Sequence, residues 1–320
     1  RENHYQILRK QYVFLLIFKI IVALGLLLIG GLLVLNQKMN IGQFVAAEII
    51  ILLVIDSSEK LILNLENVFD TFTSLEKIGQ VVDLEIDEEG TTSSINHSFE
   101  NAIEVEINNL EFTYSSEESN TLHQINYHFK KNSSNCISGN NGSGKSTLVH
   151  LISGLYKPQK GNICINGFPI GNYNLPQLYK FIGNGLNEET IFEGTLYENI
   201  TLGRSFINIE DVKNAIEKVF LSDYIKSLSK GLDTPIDISG NKLSKSIIQR
   251  IIIARSIVNQ PKLLLLENHI DCIEESTRIK IIDYLTDKKN DWTFICISND
   301  KYMKEKCDNI IKMENGTIIQ

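Results

Sequence analysis

Basic residues are missing where a nucleic-acid surface would need them: between Ile78 and Phe129 stand eleven carboxylates and no Lys or Arg. A phosphate backbone is held by cationic side chains, so this stretch excludes a nucleic-acid face and reads as a solvated linker and domain surface. The five cysteines, Cys136, Cys164, Cys272, Cys296 and Cys307, are odd in number and lack metal-ligand spacing. That excludes a zinc module and a disulfide framework and leaves reduced, structural thiols of a cytosolic domain. No internal repeat or low-complexity tract is present.

Long apolar runs, by contrast, are concentrated in one place. The 320 residues have a mean hydropathy of −0.04, and that length suggests about two domains. Val13–Leu35 is a run of 23 residues whose only charge is Lys19. As a helix it spans roughly 35 Å, enough to cross a hydrocarbon core. It is too long for the apolar part of a signal peptide, and no small-residue cleavage site follows it. The start at Arg1 is read as the start of a fragment.

A second helix is expected from about Ile41 to Ile78, leaving the bilayer near Asp56 and continuing as a cytoplasmic stem. Arg9 and Lys10 place the amino end of the first span inside, so two spans return the chain to the cytoplasm. At 100° per residue Glu48, Glu59, Glu66 and Asp70 share one face of this helix. Glu66 and Asp70 read as a wet stem. Glu48 lies among apolar neighbours, where a carboxylate normally faces a bundle interior or a water-filled path, so it is a candidate lining of a translocation pathway.

Residues 1–80 carry seven basic and seven acidic side chains, so the formal charge of −8 belongs to the remainder. The acidic stretch Asp83–Ser98 has neither period nor apolar content and marks a domain boundary. From about Ala102 short strand-like runs alternate with helix-like ones, an α/β signature.

The strongest chemical motif is Gly139-Asn140-Asn141-Gly142-Ser143-Gly144-Lys145-Ser146-Thr147. It follows the strand-like Asn135–Ser138 and opens a helix-like run, the context a phosphate-binding loop requires. Glycines let backbone N–H groups curl around phosphates, and the helix N-terminus adds partial positive charge. Lys145 is expected to reach the β- and γ-phosphates of a bound nucleotide and Ser146 to ligate Mg²⁺.

With this loop, the chain resembles the ABC transporter family, specifically an exporter half in which a membrane domain precedes a nucleotide-binding domain. The two spans resemble the last two of six transmembrane helices. Glu111-Phe112-Thr113-Tyr114 resembles the segment whose aromatic ring stacks on adenine, which makes Tyr114 the candidate. Glu193–Ile200 resembles the segment after the family's Gln-containing loop. Leu243-Ser244 through Gln249-Arg250, ending in Ala254-Arg255, resembles the signature helix. Leu263–Leu266 resembles the strand leading to the acidic pair, and Thr293–Ser298 the strand before the switch histidine.

The resemblance implies an α/β P-loop domain of ABC type with a helical subdomain, preceded by a partial all-α transmembrane domain. The expected boundaries are 1–81 for the membrane helices and stem, 82–101 for the linker and 102–320 for the nucleotide domain. It also implies ATP and Mg²⁺ as cofactors, a second half-transporter as partner in a homo- or heterodimer, an unidentified transported solute, and no nucleic acid. The expected setting is a bacterial inner membrane with the nucleotide domain in the cytoplasm.

The sequence departs from the family pattern where the chemistry belongs. Asn187 stands at the Mg²⁺-contacting Gln. The signature reads Leu243-Ser244-Lys245-Ser246-Ile247, with side chains where two glycines are usual. The metal-binding Asp position falls on Glu267, the catalytic Glu on Asn268 and the switch His on Asn299. The coupling loop reads Asp271-Cys272-Ile273-Glu274. Asn268 has an amide that holds a water and cannot take its proton, and loss of a general base costs about 10² to 10⁴ in rate. Three readings follow: an exporter half closed by ATP binding, a non-hydrolysing subunit of a heteromeric transporter, and a membrane-anchored P-loop kinase or GTPase. A helical insertion between about Gly194 and Arg255 separates the first two from the third.

Overall fold

The computed structural model describes residues 2–83, 99–114, 121–186, 191–236 and 243–319. The chain divides into two compact units, Arg1–Asp87 and Glu88–Gln320.

The first unit consists of two helices, α1 (Glu2–Leu35) and α2 (Ile41–Val82). Among the described residues one helix, over Leu16–Leu35, is long and apolar enough to cross a membrane. Most of its apolar side chains are exposed, Leu24, Leu28 and Ile29 among them, as expected of a surface whose solvent is lipid, while Val22, Leu26 and Leu33 are half-buried on one face. Gly30 is buried against Phe44 of α2, whose ring occupies the space a side chain at position 30 would need. Asn40 opens α2 with a capping box: its side chain accepts from the Gln43 N–H at 2.7 Å, and the Gln43 side chain accepts from the Asn40 N–H at 3.1 Å. The helix then runs unbroken past the expected end at Ile78 to Val82, a length of about 63 Å. Glu48 is half-buried and Asp70 exposed. The side chains of Glu59 and Glu66 lie outside the described residues.

The second unit is built on two sheets. An antiparallel sheet contains β1 (Val105–Phe112), β2 (Leu122–Phe129), β4 (Lys160–Ile165) and β5 (Phe168–Pro169) in the order β2-β1-β4-β5. The second sheet uses β3 (Ser134–Gly139), β6 (Ile182–Gly185), β9 (Leu263–Glu267), β10 (Thr293–Ile297), β11 (Asn309–Glu314) and β12 (Thr317–Ile318). Its order is β12-β11-β3-β10-β9-β6, parallel throughout except for the β11–β12 hairpin.

These parallel strands read as continuous apolar runs because both faces are covered. Leu264, Leu266, Phe294 and Cys296 enter one core, and Leu263, Leu265, Ile295 and Ile297 enter the other. Each such side chain, fully buried, stabilises the domain by about 1.5–3 kcal/mol relative to exposure.

Between β6 and β9 the chain forms the expected helical insertion. A short ribbon of β7 (Gly194–Thr195) and β8 (Pro235–Ile236) frames α5 (Leu196–Thr201), α6 (Ile209–Lys218) and α7 (Ser222–Ser227), and α8 (Lys245–Ile257) returns to the sheet. Helix α6 begins with an Asn208/Asp211 capping box and turns Val212, Ala215 and Ile216 inward at helical spacing. The domain core starts at Phe99, whose ring meets that of Phe181 edge-on at 5.1 Å. All five cysteines are free; four are buried as structural thiols should be, while Cys272 is exposed.

Candidate functional site

The loop Gly139–Thr147 joins β3 to α3 (Lys145–Ile152) at the carboxyl ends of the central parallel strands, the edge where such sheets bind ligands. Two of its glycines are required by geometry. A Cβ at Gly139 would run into the Met313 carbonyl on β11. Gly144 has φ +90° at the N-cap, and a Cβ there would sit 2.6 Å from Leu122 Cδ2. The first four N–H groups of a helix have no partner within it, so this end of α3 presents donors suited to anionic oxygens.

The side chains of the loop fold inward. Lys145 Nζ donates to the Asn140 carbonyl at 2.7 Å and to Ser143 Oγ at 3.3 Å, which places its ammonium over the loop mouth. Burial holds the Lys145 pKa below the usual lysine value, against the opposing pull of Glu267. Ser146 Oγ donates to Glu267 Oε1 at the end of β9. The Tyr114 and Thr147 hydroxyls lie 3.0 Å apart and share a hydrogen bond. The Tyr114 ring is half-buried and meets Phe112 and Tyr156 edge-on at 5.1 and 5.6 Å. Tyr114 thus lies beside the loop Gly139–Thr147.

The altered positions also converge. Lys245, Glu267, Asn268, Asp271 and Asn299 face one cleft of about 420 Å³, which Gln249 also lines. Asn268 adopts φ +50°, a left-handed conformation that asparagine tolerates better than glutamate. Its N–H donates to the Ile297 carbonyl at 3.0 Å. Burial and the neighbouring Asp300 raise the Asp271 pKa, while Arg278 opposes them. Arg278 Nε lies 3.2 Å from Asp300 Oδ2.

In the signature segment, Leu243 packs against the core, Ser246 is half-buried and Lys245 is exposed at the start of α8. Ser244 Oγ accepts from the Ile247 N–H at 3.3 Å, so its oxygen serves as the N-cap of this helix. Asn187 lies outside the described residues.

Three features were not foreseen from the sequence. Gln249 ties the signature helix to the loop after β9: its amide oxygen accepts from the Cys272 N–H at 2.9 Å, and its Nε2 donates to the Asn268 carbonyl at 3.4 Å. His269 is buried, and desolvation pushes its pKa down to about 4 despite its bond to the Gly185 backbone. His150, one turn after Ser146 on α3, comes within 4.0 Å of Glu267 Oε2. Arg255 was noted only as part of a motif. It is buried, and its Nε donates to the Asn199 carbonyl at 2.7 Å, bracing α8 against α5. Burial, with Arg204 nearby, pushes the Arg255 pKa down to about 10.

A parallel-sheet domain with a phosphate loop, a helical insertion and a cleft at the strand ends is an ABC-type nucleotide-binding domain. Residues 122–270 match the ABC transporter family model. The putative multidrug export ATP-binding/permease protein YgaD of Bacillus subtilis is 30% identical over 216 residues, covering 68% of this chain and 37% of the relative. The uncharacterized ABC transporter ATP-binding protein YknU of the same organism is 31% identical over 300 residues, covering 92% of this chain and 50% of the relative. A solved structure, a bacterial Atm1-family ABC exporter with ATP bound, shares the fold with a TM-score of 0.72 at 24% identity, over 79% of this chain and 44% of that one. The chain belongs to the ABC transporter family and spans half or less of the length of these relatives.

Mg²⁺ takes hard oxygen donors, and the Ser146 hydroxyl and Glu267 carboxylate, already in contact, are such a pair. The residues present therefore fit the ion that accompanies ATP in this family.

Proposed function

We propose that this chain is a subunit of an exporter-type ABC transporter in which ATP binding at Gly139–Thr147 drives closure on a second half-transporter, coupled to export of a solute across the membrane, while hydrolysis is slow. The observation that carries the reading is the pairing of an intact phosphate loop with a cleft lined by two amides, Asn268 and Asn299, at the positions where the family spacing puts the general base and the switch histidine. Lys145 and the N-terminus of α3 would hold the β- and γ-phosphates; Ser146 and Glu267 would hold Mg²⁺, with Asn187 as a further candidate ligand. The ion supplies charge neutralisation at the phosphates when bound. Tyr114 is assigned to the adenine. In this scheme a water beside Asn268 is oriented without being deprotonated.

One observation favours the alternative, a non-hydrolysing subunit paired with a different chain. Ser244 spends its oxygen on capping α8, and Lys245 and Ser246 put side chains where a partner's nucleotide would meet bare backbone. Two copies of this chain would then give two impaired sites. The bacterial inner membrane, the cytoplasmic placement of the nucleotide domain and the division at residues 82–101 belong to the same proposal.

Binding of a fluorescent ATP analogue to the purified chain tests it. Saturable binding that falls at least about tenfold in Lys145→Ala is expected; binding indifferent to that substitution overturns the assignment.

A further inference from the structure

The family position that normally carries aspartate holds the longer Glu267, and its two oxygens face different groups. Oε1 accepts from Ser146 Oγ, whereas Oε2 faces His150 Nε2 across 4.0 Å. His150 lies four residues after Ser146 on α3, so both side chains project from one helix face toward the end of β9. Both ring nitrogens of His150 are buried and have no hydrogen-bond partner among the described residues. The ring packs against Tyr156 with centroids 5.8 Å apart. An N–H buried without an acceptor is costly, and a shift of about 1 Å would bring Nε2 within hydrogen-bond range of the carboxylate.

We propose that His150 is a positioning residue for the metal-binding carboxylate. The tautomer with its proton on Nε2 donates to Glu267 Oε2 and fixes the longer side chain so that Oε1 stays beside Ser146. The extra methylene of glutamate, which would otherwise add a floppy torsion at the metal position, is thereby restrained. Such outer-shell hydrogen bonds orient metal ligands, and their loss typically costs about 10- to 100-fold in metal affinity. This inference rests on the reading of Gly139–Thr147 as a nucleotide site.

Two titrations on the detergent-solubilised full chain test it. Mn²⁺ binding to the ATP-loaded protein is followed by electron paramagnetic resonance, and metal-free nucleotide affinity is measured in EDTA. His150→Leu and His150→Asn, the first apolar and the second too short, are each expected to weaken Mn²⁺ about tenfold while leaving metal-free nucleotide affinity within about twofold. His150→Gln, an amide of similar reach, is expected to restore most of the loss. In a Glu267→Asp background, where the carboxylate no longer extends to the ring, the same removals are expected to change Mn²⁺ affinity by less than about twofold. Mn²⁺ affinity indifferent to position 150, or an equal loss in the Glu267→Asp background, overturns the proposal. Failure of the wild-type chain to bind any nucleotide overturns the nucleotide-site reading as well.

Discussion

The backbone N–H of Asn268 donates to the carbonyl of Ile297 at 3.0 Å. This bond ties the loop after β9 to the end of β10, two residues before Asn299. The two amides proposed to stand at the general-base and switch-histidine positions are therefore carried by adjoining strand ends and face one cleft. Restoring the base is the corresponding gain-of-function test. Asn268→Glu is expected to raise steady-state ATP turnover by about 10²-fold, at a stability cost of about 1–2 kcal/mol for a glutamate in the left-handed region. Phosphate release assays check it. An unchanged rate would mean that the missing base is not what limits hydrolysis.

Gln249 accepts from Cys272 N and donates to the Asn268 carbonyl, joining α8 to the loop after β9. Gln249→Ala removes both bonds and is expected to lower stability by about 1–2 kcal/mol. Faster amide hydrogen exchange at Cys272 should accompany it; protection equal to wild type there would show that the loop is held by other contacts.

His269 supplies a pH dependence with a definite sign. Its folded pKa, pushed down to about 4, lies below the unfolded value of about 6.5. Between these values the unfolded chain binds a proton that the folded chain refuses, so stability is lost as pH falls through this window. The loss between pH 7 and pH 5 is about 2 kcal/mol. Denaturation at the two pH values, compared with His269→Gln, checks this: the variant should lack that part of the slope, and equal slopes would contradict the burial argument.

Glu48 is half-buried on α2 amid apolar neighbours. If it lines the export path, Glu48→Gln should alter transport at least about threefold while nucleotide binding stays unchanged, since a carboxylate in the membrane is retained for function. Unaltered transport of every solute tried in proteoliposomes of the complete transporter would remove Glu48 from the path.

The phosphate loop was legible because its nine residues are consecutive and each residue type has a local reason. Glu267, Asn268 and Asn299 were legible through the spacing of a family resemblance, and the strand order β3-β10-β9 accounts for their convergence. The contacts of His150, Gln249 and His269 were not legible. Their partners are set by helix-to-strand packing: His150 meets a residue 117 positions away, and Gln249 reaches across to the loop after β9. Periodicity marks a helix face but not which strand end that face meets. Helix α2 runs one turn past Ile78 because the apolar spacing Val68, Phe72, Leu75, Ile78, Val82 continues through Gly79 to its end.

The most direct test is steady-state ATP hydrolysis by the purified chain in nanodiscs, measured alongside Lys145→Ala at saturating Mg²⁺-ATP. The wild-type chain is expected to bind nucleotide and turn it over at about 10⁻² s⁻¹ or less, some 10²-fold or more below a site with its general base. Turnover at about 1 s⁻¹ or above by the wild-type chain, abolished by Lys145→Ala, would contradict the reading of Asn268 and Asn299.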